Sequence, residues 1–190
     1  MEPWQDSICI HPDLLCVRLC RLSKGIVHTF PSVSDTDQSP YIFDVNFSSS
    51  SNMAVSACGP GHLIKIYDRA TLAPVQQLAG HQQKVNQVCF VDNEPNILLS
   101  ASSDSSVKVW DLRAAGTLHS FHGGGKPYWC VDFDSSANLV GSGLSRSVKV
   151  MDWKTRKVVR SYNDVHTDDV TQTKFHLNRQ PPASILVVRQ

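Results

Sequence analysis

One phrase returns three times along this chain and limits what it can fold into. Leu63-Ile-Lys-Ile-Tyr-Asp68, Ser106-Val-Lys-Val-Trp-Asp111 and Ser147-Val-Lys-Val-Met-Asp152 each alternate apolar and polar residues and then stop at an aspartate. That alternation predicts a half-buried β-strand. The three aspartates lie 43 and 41 residues apart, and Phe47, Phe90, Phe133 and Phe175, each closing a strand, recur at 43, 43 and 42 residues. Two independent markers thus keep one register. A period of about 40–45 residues means an array of like units, each burying its apolar face against a neighbour.

Each full unit reads as four short strands. The first, Tyr41–Ala79, carries Phe43–Phe47, Met53–Cys58, Leu63–Tyr67 and Pro74–Leu78, with Gly59-Pro60-Gly61 as the turn between its second and third strands. The second, Gly80–Phe121, carries Val85–Phe90, Ile97–Ala101, Val107–Trp110 and Thr117–Phe121, with Ser102–Ser106 as a hairpin turn. The third, His122–Tyr162, carries Tyr128–Phe133, Leu139–Gly143, Val148–Trp153 and Val158–Tyr162. A fourth opens at His166 with Val170–Phe175, and then the theme stops. The chain therefore divides into a degenerate segment over 1–40, repeats over 41–176 and a non-repeat tail over 177–190. Ile8–Ile10, Leu14–Leu19 and Ile26–Phe30 read as strands left over from a preceding unit, and Ser184–Val188 as a strand with no Trp-Asp ending.

With Gly80-His81 ahead of it and Trp110-Asp111 at its end, the second unit resembles the WD-repeat family. The resemblance implies an all-β, partial β-propeller of about three clear blades with degenerate ends. It also implies a stabilising tetrad of His81, Ser100, Asp104 and Trp110. Their imidazole, hydroxyl, carboxylate and indole would satisfy one another, so that no polar group is stranded between strands. By fixed spacing, Ala57, Gly61 and Tyr67 take these places in the first unit, and Gly141, Ser145 and Met151 in the third. Those two blades are then expected to rest on apolar packing. Propellers close with about four to eight blades. Three readings meet the shortfall: a truncated or fragmentary chain, completion by a partner or a second copy, or a small distorted ring. The abrupt loss of pattern after His176 favours the first.

Composition excludes several functions. A net charge of +1 gives no electrostatic case for nucleic acid or a membrane surface, and no apolar run reaches membrane-spanning length. Six cysteines in 190 residues are too few for a disulfide scaffold. Cys58, Cys89 and Cys130 read as reduced core residues of a cytoplasmic or nuclear protein. Cys9-x-His11 and Cys16-x3-Cys20 lack paired zinc spacing. Gly123-Gly-Gly-Lys126 has the wrong spacing for a phosphate loop and precedes Pro127, so it reads as a connection between blades. Asp164, His166, Asp168, Asp169 and His176 form an acidic, histidine-bearing cluster, but His166 stands four residues before Val170 as His81 stands before Val85. A structural role is expected there. No nucleophile–base arrangement is evident, and the chain is read as a non-enzyme without cofactor or metal.

Two stretches point to protein partners. Leu98–Arg113 resembles the box of WD-repeat substrate receptors of cullin-4 ubiquitin ligases, which implies adaptor contacts through Asp111 and Arg113, with Tyr67-Asp68-Arg69 as a weaker copy. Aligning the first strands by their closing Phe brings Phe43, Asn86, Trp129 and Thr171 to equivalent positions near strand starts, with Lys84 just ahead of the second. Large aromatics on such a rim fit either partner anchors or blade-to-blade packing. The function expected is a protein–protein interaction scaffold.

Overall fold

A computed structural model describes residues 6–11, 16–21, 25–30, 42–48, 53–58, 60–68, 71, 73–92, 94–134, 139–175 and 185–188. Arg69 and the loop over 31–40 lie outside these residues, as do the side chains of Cys9, His11, Cys16, Cys20 and Cys58.

Among the described residues, seventeen strands form five antiparallel sheets. A three-stranded sheet holds β1 (Asp6–His11), β2 (Cys16–Arg21) and β3 (Gly25–Phe30). Blade one holds β4 (Ile42–Phe47), β5 (Met53–Cys58), β6 (Ile64–Asp68) and β7 (Pro74–Leu78). Blade two holds β8 (Val85–Phe90), β9 (Ile97–Ser102), β10 (Ser106–Asp111) and β11 (Gly116–His122). Blade three holds β12 (Tyr128–Asp134), β13 (Leu139–Leu144), β14 (Ser147–Asp152) and β15 (Lys157–Tyr162). A last pair joins β16 (Gln172–Phe175) to β17 (Ile185–Val188). Sequential antiparallel pairing follows from the short connections. The first strands β4, β8, β12 and β16 stand side by side as the inner strands of successive blades.

Register repeats from blade to blade. Each first strand slips by one residue against its second, skipping Phe43, Asn86 and Trp129. Each third strand slips against its fourth, skipping Val75, Leu118 and Val159. These are β-bulges, which swing one side chain off the ladder. The same slip falls between Leu19 and Cys20, so β1, β2 and β3 match strands two, three and four of a blade.

The register also corrects the fixed-spacing alignment. Ser100 pairs with Lys108, Ser56 with Lys65 and Ser142 with Lys149. Serines, not Ala57 and Gly141, hold the Ser100 position in the other blades. The reason is loop length. The register-equivalent pairs Ala57↔Ile64, Ala101↔Val107 and Gly143↔Val148 enclose six, five and four residues. A constant offset therefore misses by one residue on each side.

The core lies between blades. Because strand side chains alternate, Leu98 and Trp110 face blade one, where they pack with Ile64, Ile66 and Leu78. Leu99, Val107 and Val109 face blade three, where they pack with Tyr128, Val131, Val140 and Met151. Leu78 and Phe121 hold one register position and are 1% and 5% exposed under the next blade, whereas Tyr162 at that position is 43% exposed. Among the described residues, the sheet that follows Tyr162 supplies two strands rather than four.

Side chains stitch the inner strands together. The Asp44 carboxylate accepts the Val88 N–H (3.0 Å), the Gln87 side-chain amide oxygen Oε1 accepts the Val131 N–H (2.8 Å), and Asp132 accepts the Phe175 N–H (2.8 Å). Lys174 closes the last seam on Asp132 at 2.9 Å. Burial drives the Asp44 carboxyl up to about 6, against the opposing pull of the Val88 N–H.

Candidate partner-binding face

Two ends of the blades offer side chains to solvent, and the tetrad of blade two braces one of them. Trp110 Nε1–H donates to Ser100 Oγ (2.8 Å), and Ser100 Oγ lies 2.7 Å from His81 Nε2. His81 Nδ1 lies 2.7 Å from Asp104 Oδ2, which also accepts the Gln82 N–H. Asp104 Oδ1 accepts both the N–H and the hydroxyl of Ser106. Burial opposes charge on Asp104, yet the bonds from Ser106, Gln82 and His81 outweigh it and hold the carboxyl down at about 2. Burial likewise lowers His81, against Asp104. A neutral imidazole therefore donates from Nδ1 to an ionised carboxylate and accepts the Ser100 hydroxyl at Nε2. Gly80 belongs to the same construction. Its φ is 150°, and a Cβ there would meet Trp110 Cη2 at 3.2 Å.

The tetrad's turn sits at the end where the inner strands begin. There the Lys84 carbonyl accepts Ser102 Oγ–H (2.9 Å) and Ser103 N–H (3.0 Å). The Lys84 side chain reaches across to both neighbouring blades. Its Nζ lies 5.2 Å from the Phe43 ring centre and 5.5 Å from the Trp129 ring centre. Phe43 is 40% exposed. Trp129 is half-buried, and its Nε1–H donates to Asp169 Oδ2 at 3.0 Å, while Asp169 Oδ1 accepts the Ser145 hydroxyl at 2.8 Å. Phe43 and Trp129 are two of the three inner bulge residues. The third, Asn86, is drawn away: its amide donates to the Tyr128 carbonyl (2.7 Å) and to Ser103 Oγ (3.1 Å). Of the four residues expected on a partner surface, three converge and Asn86 braces blade two against blade three. Asp169, expected in an acidic cluster, fixes the indole instead.

Asp111 and Arg113 lie at the opposite end. Arg113 folds back on its own aspartate, with Nε and Nη2 at 3.3 and 3.2 Å from the carboxylate oxygens, and its side chain is 72% exposed. That pairing lowers the Asp111 carboxyl and raises the guanidinium. The adjoining turn is tied to blade one by Gln76, whose amide donates to the Leu112 carbonyl (2.8 Å). Arg69, the weaker copy, lies outside the described residues. Burial pushes the Cys89 thiol up to about 12, and the Cys130 thiol upward too, so both are inert packing groups.

The comparisons with known proteins agree with this architecture. Residues 72–111 match the family described as WD domain, G-beta repeat. The chain is similar to the WD repeat-containing protein 89 homolog of Dictyostelium discoideum, at 30% identity over 153 residues, covering 80% of this chain and 40% of that protein. It is also similar to the WD repeat-containing protein GTS1 of Arabidopsis thaliana, at 30% identity over 121 residues, covering 61% and 31%. The chain thus spans less than half the length of either relative. Among solved structures it resembles a chain of the crystal structure of mitotic checkpoint complex, with a TM-score of 0.74, 19% identity, and 84% and 47% covered. Repeat, register and relatives together place this chain in the WD-repeat family, with the fold of a WD-repeat β-propeller.

Proposed function

We propose that this chain is a non-catalytic scaffold that holds partner proteins on the face built by Phe43, Lys84 and Trp129. The observation that carries the reading is their convergence from three consecutive blades, with the aromatics on inner bulges and the indole locked by Asp169. Rigid aromatic anchors beside a cation are what interface hot spots are made of. The chain's 40% share of a relative supports reading these blades as part of a longer ring, and cysteines read as reduced core residues fit a ring that acts in the cytoplasm or nucleus. A photo-crosslinker placed at Phe43 is expected to trap partner proteins in cell extract that a crosslinker at Val75 on the rim does not. Equal trapping at both positions, or trapping that survives Trp129→Ala unchanged, rejects the reading.

A second reading has an observation of its own. Arg113 is exposed, and Asp111 orients its guanidinium at the far end of blade two. Such a cation fits the acidic or carbonyl-rich surface of a ligase adaptor, and the chain would then be a substrate receptor of a cullin-4 type ubiquitin ligase. Purified adaptor should be captured by the wild-type chain and lost with Arg113→Ala. Capture by both chains, or by neither, ends this reading.

A further inference from the structure

We propose that the Lys84 ammonium, held between the rings of Phe43 and Trp129, is the seat for a carboxylate side chain of a partner protein whose neighbouring residues are apolar. The inference rests on the reading of this face as the partner-binding surface and assigns the chemistry that the face selects.

Lys84 meets ring faces, not an anion. At 5.2 and 5.5 Å from two ring centres, the ammonium is drawn to their negative faces, an attraction that positions a cation without neutralising it. Four carboxylates of this and the flanking blades are engaged elsewhere. Asp104 holds His81, Gln82 and Ser106. Asp169 holds Trp129 and Ser145, and Asp164 pairs with Arg146 at 2.9 Å. Asp44, next to Phe43, is turned to the Val88 N–H. Among the described residues the surface thus offers a positive charge that no carboxylate pairs with, and charge complementarity selects an acidic partner.

The rings set what flanks the acid. A carboxylate reaching the ammonium passes between two aromatic faces, and adjacent apolar groups can lie on them. A charge-assisted hydrogen bond formed there is roughly twice as strong as a neutral one. Little ordering is left to complete on binding. The Lys84 backbone is fixed by Ser102 and Ser103, and the Trp129 ring by Asp169.

The test is fluorescence anisotropy on the full chain with short synthetic peptides carrying Leu-Glu-Phe, with Leu-Gln-Phe and Leu-phosphoserine-Phe versions alongside. The Glu peptide should bind at least about tenfold more tightly than the Gln peptide. Lys84→Met should erase that difference, Lys84→Arg should keep it, and Phe43→Ala should weaken both peptides alike. Equal binding of the Glu and Gln peptides, with Phe43→Ala still weakening both, overturns the carboxylate seat and leaves the face reading intact. Binding indifferent to Phe43 and Trp129, or no binding at all, counts against both. Tenfold preference for the phosphoserine peptide over Glu makes the seat one for phosphate and overturns the assignment.

Discussion

Ser100 and Ser142 hold the same position in blades two and three, both fully buried, yet they are satisfied in opposite ways. Ser100 stands inside a chain of four polar side chains. Ser142 donates to the main-chain carbonyl of Cys130 at 2.7 Å. The difference follows from the residue opposite. Trp110 brings an N–H that needs an acceptor; the Ser100 oxygen accepts it and its hydroxyl donates in turn to His81 Nε2. Met151 brings no donor, and the place of His81 is taken by Gly124. A buried polar network is therefore kept whole or dispensed with whole, because a partial one strands a group in low dielectric.

Importing one blade's solution into the other breaks the comparison most sharply. Trp110→Met removes the indole and leaves Ser100, His81 and Asp104 in place. The loss should reach about 3 kcal/mol, within the range for large core truncations, and urea unfolding measures it. Met151→Leu, which keeps volume and brings no polar group, should cost under about 1.5 kcal/mol. If the two variants cost the same, the network adds nothing beyond packing.

Acid titration separates the blades next. The Asp104 carboxyl is held below its unfolded value, so its contribution is full above about pH 4 and disappears as pH falls toward 2. Lowering a pKa from 3.8 to about 2 corresponds to roughly 2 kcal/mol. Asp104→Asn should flatten stability across that window. Asp44 has the opposite sign. Its folded value is raised, so the folded chain loses stability as pH rises from about 4 to about 6. Asp44→Asn, which keeps an acceptor for the Val88 N–H, should abolish that fall and raise Tm above pH 6 by a few degrees. A lower Tm there would mean that the charged form holds the seam. The smallest effect belongs to Arg113→Ala. Water screens an exposed pair, so thermal unfolding should barely change whatever happens to adaptor capture.

The repeat was legible because Phe and Asp markers sit at strand ends, where the period is nearly constant. The turns between second and third strands were not, because they shorten by one residue per blade. That hid Ser56 and Ser142 behind Ala57 and Gly141. The aromatic face was half legible. The shared phase of Phe43, Asn86 and Trp129 could be read from the strand-closing phenylalanines, but not that these are bulge residues. Their divergence depends on neighbours far along the chain: Asn86 reaches Tyr128, and Trp129 reaches Asp169. Lys84 gave no periodic signal, since blades one and three lack a lysine at that place; Tyr41 and Pro127 stand there. A lysine unique to one blade between two aromatic bulges is the signal to search for in such arrays.

The stitches between inner strands have a consequence for hydrogen exchange. Val88, Val131 and Phe175 donate their amides to side chains of the neighbouring blade, not to the next strand of their own sheet. Amides on a sheet's outermost ladder ordinarily swap their protons for deuterium quickly, because nothing shields them. These three should swap slowly, each reporting the opening of one seam. The seams use different chemistries (a carboxylate, an amide and an aspartate–lysine pair), so acid, salt and denaturant should release the three labels in different orders. A time course at these amides would show blade by blade where the wheel first lets go.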